Sequence, residues 1–299
     1  MFVEKVINSI KNRLIAFYGV RHLKWYANYK YHKAFGRDIN WDNPTEFNEK
    51  IYWMMFHSDT SLWSNLADKY KVKEILKEKG YGEIVTKLYG HWENAEDINF
   101  DQLPNSFVLK TNHGYGDICV VQDKSIINIE HIKTKMNKAV RHRHGLNSVE
   151  LHYLHIKPCI IAEELLVNTA SFSSSLVDYK FYCFNGIPIS CGVFFNRNLS
   201  THKRMAMYYD MDWEKRPEWL HPHKVAATVD VPKPVNFEKM KQLCRDLCKD
   251  IPFVRLDLYE VNGNIYFGEY TFTPASCSGG SLNPSLLRRY GDLIVLNNK

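Results

Sequence analysis

Four polar side chains near the C-terminal end stand at alternate positions in two β-branched and aromatic runs. Val254-Arg255-Leu256-Asp257-Leu258-Tyr259-Glu260 leads through Val261-Asn262-Gly263-Asn264 into Ile265-Tyr266-Phe267-Gly268-Glu269-Tyr270-Thr271. Such a pattern reads as a β-hairpin closed at Asn-Gly. Side chains alternate between the faces of a strand, so Arg255 and Asp257 share a face, and Glu269 and Thr271 share a face. If the two faces coincide, two carboxylates, a guanidinium and a hydroxyl meet on one wall. Hard oxygen ligands beside an arginine suit Mg²⁺ holding a phosphate. A plain two-residue turn would set Asp257 and Glu269 on opposite faces. The metal reading therefore predicts a three-residue loop with a bulge and Gly263 in the left-handed region, or a bulge that interrupts the hairpin. The alternative is a hairpin carrying scattered, solvated charges.

Two lysines lie upstream. Lys110 ends the apolar run Phe107-Val108-Leu109 and is followed by Thr111-Asn112-His113-Gly114-Tyr115-Gly116-Asp117. A lysine at a strand end supplies charge, and a Gly-x-Gly loop lets backbone N–H groups approach phosphate oxygens. The P-loop pattern is absent, and no helix opens after the glycines as a dinucleotide fingerprint requires. A simple β-turn accounts for the same residues. Lys180 sits in Asp178-Tyr179-Lys180-Phe181-Tyr182-Cys183-Phe184, where it either pairs with Asp178 or reaches a polar cleft. Glu163 and Glu164 leave another apolar run, as ligand acceptors or as surface acids. Ser276-Cys277-Ser278-Gly279-Gly280 offers backbone amides to an oxyanion, or is a flexible turn. His113, His142, His144, His152 and His155 are expected to form no metal set, with no His-Glu-x-x-His motif. No Gly-x-Ser-x-Gly elbow occurs. Cys244 and Cys248 stand four apart and lack a second ligand pair, so buried thiols are expected there.

Composition bounds these readings. The chain has 299 residues, 45% hydrophobic and 24% charged, with a net charge of +6. That charge favours anionic partners and is too weak to indicate nucleic acid. Seven dispersed cysteines read as free thiols of a reducing cytoplasm. No apolar run is long enough to cross a bilayer. Phe2, Val6, Ile10, Leu14 and Phe17 recur at helical spacing beside Lys5, Lys11, Arg13, Arg21 and Lys24. This basic amphipathic helix would lie on the inner face of a membrane or pack on the protein's own core.

The elements that must position these groups follow from periodicity. Residues 1–100 read as mostly helical, with 62–79 as one helix stopped at Gly80, and 82–88 as a short strand. Strands are expected over 107–110, 118–121, 158–162, 178–184 and 188–195. Helices are expected over 126–144 and 236–249, the latter before the hairpin, and 280–296 close the chain. Strand-rich lobes with interspersed helices make the fold class α+β.

In this order the pieces resemble the ATP-grasp superfamily and, within it, the teichuronopeptide-biosynthesis type (TupA-like). The resemblance rests on Ala67-Asp68-Lys69-Tyr70, Leu103-Pro104 through Phe107-Val108-Leu109-Lys110, 178–186 ending in Asn185-Gly186, Phe253-Val254-Arg255-Leu256-Asp257, and 267–274 ending in Thr273-Pro274. It implies an ATP-grasp fold with a helical region over 1–104, a lid over 105–162 and a catalytic lobe over 163–299. The implied activity is an ATP-dependent carboxylate–amine ligase that works through an acyl phosphate, with ATP and Mg²⁺ as cofactors.

Carried over by position, Lys110 and Lys180 hold ATP phosphates, and His113, Gly114 and Gly116 lie in the loop that covers them. Glu163 lies at the adenine hinge with Glu164 nearby, and Asp178 faces the ribose. Asp257, Glu269 and Thr271 carry Mg²⁺. Arg255 stabilises charge on the transferring phosphoryl group or binds the acid, and Lys180 is the second catalytic residue. Thr271 departs from the asparagine common at that position. The implied partners are the carboxylate of a uronic acid or acidic surface polymer and an amine, in the cytoplasm. A glycosyltransferase-like enzyme of surface polysaccharides, with Asp257 and Glu269 on a metal–nucleotide-sugar complex, is the competing reading. A non-catalytic nucleotide- or glycan-binding protein is a third.

Overall fold

The structure, a computed structural model, describes residues 12–198, 201, 203–222 and 229–296. Residues 12–19 are helical, and four further α-helices precede the first strand: α1 (Leu23–Phe35), α2 (Phe47–His57), α3 (Ser61–Ala67) and α4 (Lys71–Glu78). A four-stranded sheet follows, built from β1 (Leu88–Trp92), β2 (Phe107–Thr111), β3 (Ile118–Val121) and β4 (Ile160–Glu163), in the order β1-β4-β2-β3. Helix α5 (Ile129–Val140) lies between β3 and β4. A five-stranded sheet takes β5 (Asp178–Phe184), β6 (Ile187–Phe195), β7 (Met205–Tyr209), β8 (Val254–Val261) and β9 (Asn264–Thr271), in the order β7-β6-β5-β8-β9. Helix α6 (Phe237–Leu247) precedes β8, and α7 (Pro284–Asp292) ends the described chain. Every strand pair is antiparallel, so the fold is α+β as expected.

Each sheet packs one face on an apolar, helix-covered core, and the other face is also largely buried. On the small sheet, Phe107, Leu109, Ile160 and Ala162 share a core with Ile132, Met136 and Val140. These three α5 residues recur every fourth position and give that helix its single apolar stripe. The opposite face carries Val108, Lys110, Ile161 and Glu163. On the large sheet, Phe181, Cys183, Leu256 and Leu258 share a core with the α6 residues Phe237, Met240, Leu243 and Cys244. The ring of Phe237 lies 5.9 Å from that of Phe181. Asp178, Lys180, Arg255, Asp257, Glu269 and Thr271 occupy the other face. The N-terminal helices join the same core: Phe47 packs edge-on to Phe253 at 4.6 Å, and α2 is held at its start by a reciprocal Glu46–Glu49 capping box.

Several expectations need correction. Residues 62–79 are two helices, because the Asp68 carboxylate turns back to accept from Tyr70 N (2.9 Å) and Lys71 N (3.2 Å). That local bond offers the backbone an alternative to continued helix. Residues 82–84 form a 3₁₀ turn, and the strand there starts at Leu88. Helix α5 stops at Val140, before Arg141-His142-Arg143-His144. The edge strand β7 was not anticipated, since Met205-Ala206-Met207-Tyr208-Tyr209 lacks alternation. Residues 1–11 of the basic amphipathic stretch lie outside the described residues. Within the described part, Leu14 and Phe17 are exposed, while Ile15 and Ala16 pack on the core. No helix among the described residues is long and apolar enough to cross a membrane. All seven cysteines are free, and Cys183, Cys244 and Cys248 are buried, as a core reading of that pair expects.

Candidate active site

The hairpin resolves the question of facing. Asn262 and Gly263 form a two-residue turn with φ of 52° and 73°, so the three-residue loop is not found. The register is shifted instead inside β9, where Asp257 pairs with Glu269 and Leu258 with Phe267. Gly268 is the extra residue of this bulge, and a Cβ there would meet the Asp257 carbonyl oxygen at 2.9 Å. A bulge restores the facing that a two-residue turn would have broken. Arg255 stands opposite Thr271, and Asp257 opposite Glu269.

Dense ion pairing follows. Arg255 donates from Nε to Asp257 Oδ1 (2.6 Å), and from Nη2 to Asp257 Oδ2 (2.7 Å) and Thr271 Oγ1 (2.9 Å). Its Nη2 lies 3.4 Å from Glu269 Oε1. Lys180, directly opposite Asp257 on β5, bonds Asp257 Oδ2 and lies 3.3 Å from Asp178 Oδ1. Arg197 donates to Asp178 Oδ2 at 2.8 Å. Thus both alternatives for Lys180 hold: it pairs with Asp178 and faces the polar wall. Burial pushes the Glu269 carboxyl up, and Lys69, Lys180 and Arg255 more than offset this, lowering it to about 2. It stays ionised at neutral pH.

The small sheet supplies the second wall. Lys110 pairs with Glu163, which also lies 3.0 Å from Lys73 Nζ. Lys73 donates to Thr86 Oγ1 at 2.5 Å, and that hydroxyl donates to Glu163 Oε2 at 3.2 Å. Burial raises the Glu163 carboxyl, but the two ammonium groups prevail and lower it to about 2. The Glu163 side chain is therefore directed to lysines. Glu164 stands at the strand exit, its N–H donating to Lys87 O at 2.9 Å.

Lys69 joins the two walls. It lies between α3 and α4, donates to Gly114 O at 2.5 Å and stands 3.8 Å from Glu269 Oε2. Asn112 fixes that crossing: its Nδ2 donates to Asp68 Oδ1 (2.9 Å) and Lys157 O (3.0 Å), and its carbonyl accepts from Lys69 N (3.0 Å). Gly114 and Gly116 both have positive φ, at 82° and 86°. Lys69, Lys73 and Asn112 were missed as site residues. The local sign for Lys69 is Asp68, which interrupts the single helix expected over 62–79.

Charge on these walls is unbalanced. Lys69, Lys180, Arg197 and Arg255 face Asp178, Asp257 and Glu269, and Lys73 and Lys110 face Glu163; six cations against four carboxylates leave two positive charges. A polyanion suits that surplus.

Beside Arg255 opens a cavity lined by Tyr182, Phe194, Arg204, Tyr208 and the backbone of 279–281. Arg204 lies over the Phe194 ring at 5.1 Å and makes no hydrogen bond or ion pair with the described residues. The loop bordering this cavity is strained: Ala275, Ser276 and Cys277 have φ of 52°, 49° and 56°. Non-glycine residues held there cost on the order of 1–3 kcal/mol each. Buried Glu150 holds the loop by accepting from Thr273 Oγ1 (2.5 Å) and Ser276 Oγ (3.0 Å).

The histidines divide. His152 is buried between Trp63 and Phe272, and burial lowers it to about 3. His142 and His144 instead converge with Asp117, contrary to the expectation of no metal-ligand set.

Two antiparallel sheets presenting polar faces to one cationic cleft define a protein of the ATP-grasp fold. The chain belongs to the TupA-like ATPgrasp family, whose model matches residues 49–295. Solved structures of similar shape include a D-alanine–D-alanine ligase from Bacillus anthracis complexed with ATP (16% identity, TM-score 0.46, covering 77% of this chain and 65% of that one). Another is a D-alanine–D-alanine ligase from Helicobacter pylori (13% identity, TM-score 0.45, 84% and 70%). A third is the D-cycloserine synthetase DcsG (12% identity, TM-score 0.44, 78% and 70%). The chain thus spans about two thirds of the length of these structures. No curated protein matches it.

Proposed function

We propose that this protein is an ATP-dependent carboxylate–amine ligase. The observation that carries the reading is the facing of Asp257 and Glu269 across the bulged hairpin, in a cleft with surplus positive charge. Phosphoryl transfer needs positioning and charge neutralisation more than a protein nucleophile. In this reading Lys69, Lys110 and Lys180 bind the phosphates, and Glu163 holds Lys110 in place. The 113–116 loop covers the phosphates, Glu164 borders the base, and Asp178 lies toward the ribose and orients Lys180. The lobes act as a lid over 105–162 and a catalytic lobe over 163–299.

Mg²⁺ fits the donor set. Glu269 is ionised, a third exposed, and its oxygens are only loosely held at 3.4 and 3.8 Å. Thr271 adds a hydroxyl 3.2 Å away, and Asp257 stands opposite. When bound, Mg²⁺ neutralises phosphate charge. Asp257 is more tightly engaged, by Arg255 and Lys180, so we assign Glu269 as the first ligand.

The acid substrate enters beside Arg255, with Arg204 and the aromatic cavity receiving its body. A carboxylate oxygen attacks the γ-phosphorus as ADP leaves. The amine nitrogen then attacks the acyl carbon as phosphate leaves, and the departing phosphate takes up the proton the amine loses. Closure of the lid keeps water from the acyl phosphate. Aromatic walls and two arginines support a uronic acid or acidic surface polymer as the acid. Such a substrate would place the enzyme at the cytoplasmic side of the envelope, with the basic N-terminal segment at the membrane.

Hydroxylamine trapping tests the reading. Incubation with ATP, Mg²⁺ and a panel of uronic acids should give a hydroxamate together with ADP. Turnover of a nucleotide sugar without ATP would overturn it in favour of a glycosyltransferase.

A further inference from the structure

We infer that Asp117, His142 and His144 form a binding site for one borderline divalent transition-metal ion of the Zn²⁺ class, which fastens the glycine loop to the segment after α5. One ligand atom from each residue lies within 4.8 Å of the other two, the one such set among the described residues. His144 Nε2 stands 2.7 Å from Asp117 Oδ2. The His142 and His144 rings are 4.3 Å apart and nearly perpendicular. Ligands around a tetrahedral Zn²⁺, at about 2.0–2.2 Å from the ion, stand roughly 3.3 Å from one another. The site therefore needs side-chain shifts of about an ångström and no backbone rearrangement.

The surroundings hold the ligands in place. His113 Nε2 lies 2.8 Å from the His142 carbonyl oxygen. A carbonyl only accepts, so this nitrogen carries the proton and steadies the backbone at residue 142. Gly114 lies under the His144 ring, and a Cβ there would come within 2.1 Å of it. His144 is buried, Asp117 half-buried and His142 exposed, so the cluster opens to solvent on one side for the ion to enter. Without metal, the same residues make a histidine–carboxylate hydrogen bond.

Chemistry separates this site from the oxygen-lined wall of the large sheet. Two imidazoles and one carboxylate favour Zn²⁺ over Mg²⁺, whereas carboxylate and hydroxyl donors favour Mg²⁺. Three protein ligands leave one position for water. Asp117 directly follows Gly116, and His142 and His144 follow α5. An ion here joins the loop to the body of the lid.

Zn²⁺ titration of the full chain against a chromophoric chelator, in excess Mg²⁺, tests this. One Zn²⁺ per chain is expected. His142→Ala and Asp117→Asn should each weaken binding about tenfold or more, while His155→Ala leaves it unchanged. Because His142 is exposed, its replacement leaves the core intact. Amide exchange over 113–117 should slow on adding Zn²⁺ to the wild type and not to His142→Ala. Absence of wild-type binding, or binding undiminished in either ligand variant, would overturn the site. Exchange that ignores Zn²⁺ would overturn the fastening.

Discussion

Asp257 and Glu269 stand directly opposite each other across β8 and β9, and the single residue that brings them there is Gly268, displaced from the ladder between them. The hairpin turn and the facing of the acids are therefore controlled at two separate places.

Gly268→Val places side-chain atoms against the Asp257 carbonyl, which a Cβ already meets at 2.9 Å. It should cost roughly 1–3 kcal/mol, as overpacking does, and reduce ATP turnover more than tenfold. Gly263→Ala, at φ 73° with open space around it, should cost about 1 kcal/mol and preserve turnover. Urea denaturation and ADP release, measured on both variants, check the contrast.

Removing each acid should have different consequences. Glu269→Gln should lower turnover at least a hundredfold. Burial raises its carboxyl, but Lys69, Lys180 and Arg255 hold it down to about 2, so stability at pH 7 should fall as well. That fall should be smaller than on loss of Asp257, because the Glu269 carboxylate is a third exposed. Asp257 is buried between Lys180 and Arg255, so Asp257→Asn should also destabilise by about 3 kcal/mol. Near-normal turnover in either variant would remove the metal assignment.

Lys110→Ala and Lys69→Ala should each weaken binding of a non-hydrolysable ATP analogue by tenfold or more. Lys110 pairs with Glu163, whereas Lys69 contacts both Gly114 and Glu269. Accordingly Lys69→Ala should also increase protease cutting within 113–117, and Lys110→Ala should not. Calorimetry and limited proteolysis read these separately.

Glu163 gives a signed pH dependence. Its carboxyl is lowered to about 2 in the folded protein, against 4.5 for the free side chain. The pair therefore contributes its full stabilisation above about pH 5 and loses it as pH falls toward 2. Glu163→Gln should be less stable than wild type at pH 7, and the difference should shrink between pH 5 and pH 3. A constant difference in urea midpoints would contradict the ion pair.

Periodicity was enough to read β2, β3, β5, β6 and the β8–β9 hairpin, because alternation and Asn-Gly turns are local signals. It also showed which residues of β8 share a face. It did not show the bulge, since Gly268 in an aromatic strand looks like any strand glycine until its partner is known. Lys69 and Lys73 were hidden for a different reason. Their roles depend on Asp68 breaking a helix and on Asn112, a residue far along the chain, receiving the break. Asp117 and the two histidines come from separate segments, and spacing within one segment carries no sign of such convergence.

The break at Asp68 has a mechanical consequence. The Lys69 ammonium, carried between two N-terminal helices, donates to the glycine loop at Gly114 and stands 3.8 Å from Glu269. In the proposed ligase reading, a phosphate arriving between them would compete for that ammonium and so be felt at both. On that reading the helical region would act as a transmission between the two sheets, coupling the glycine loop to Glu269.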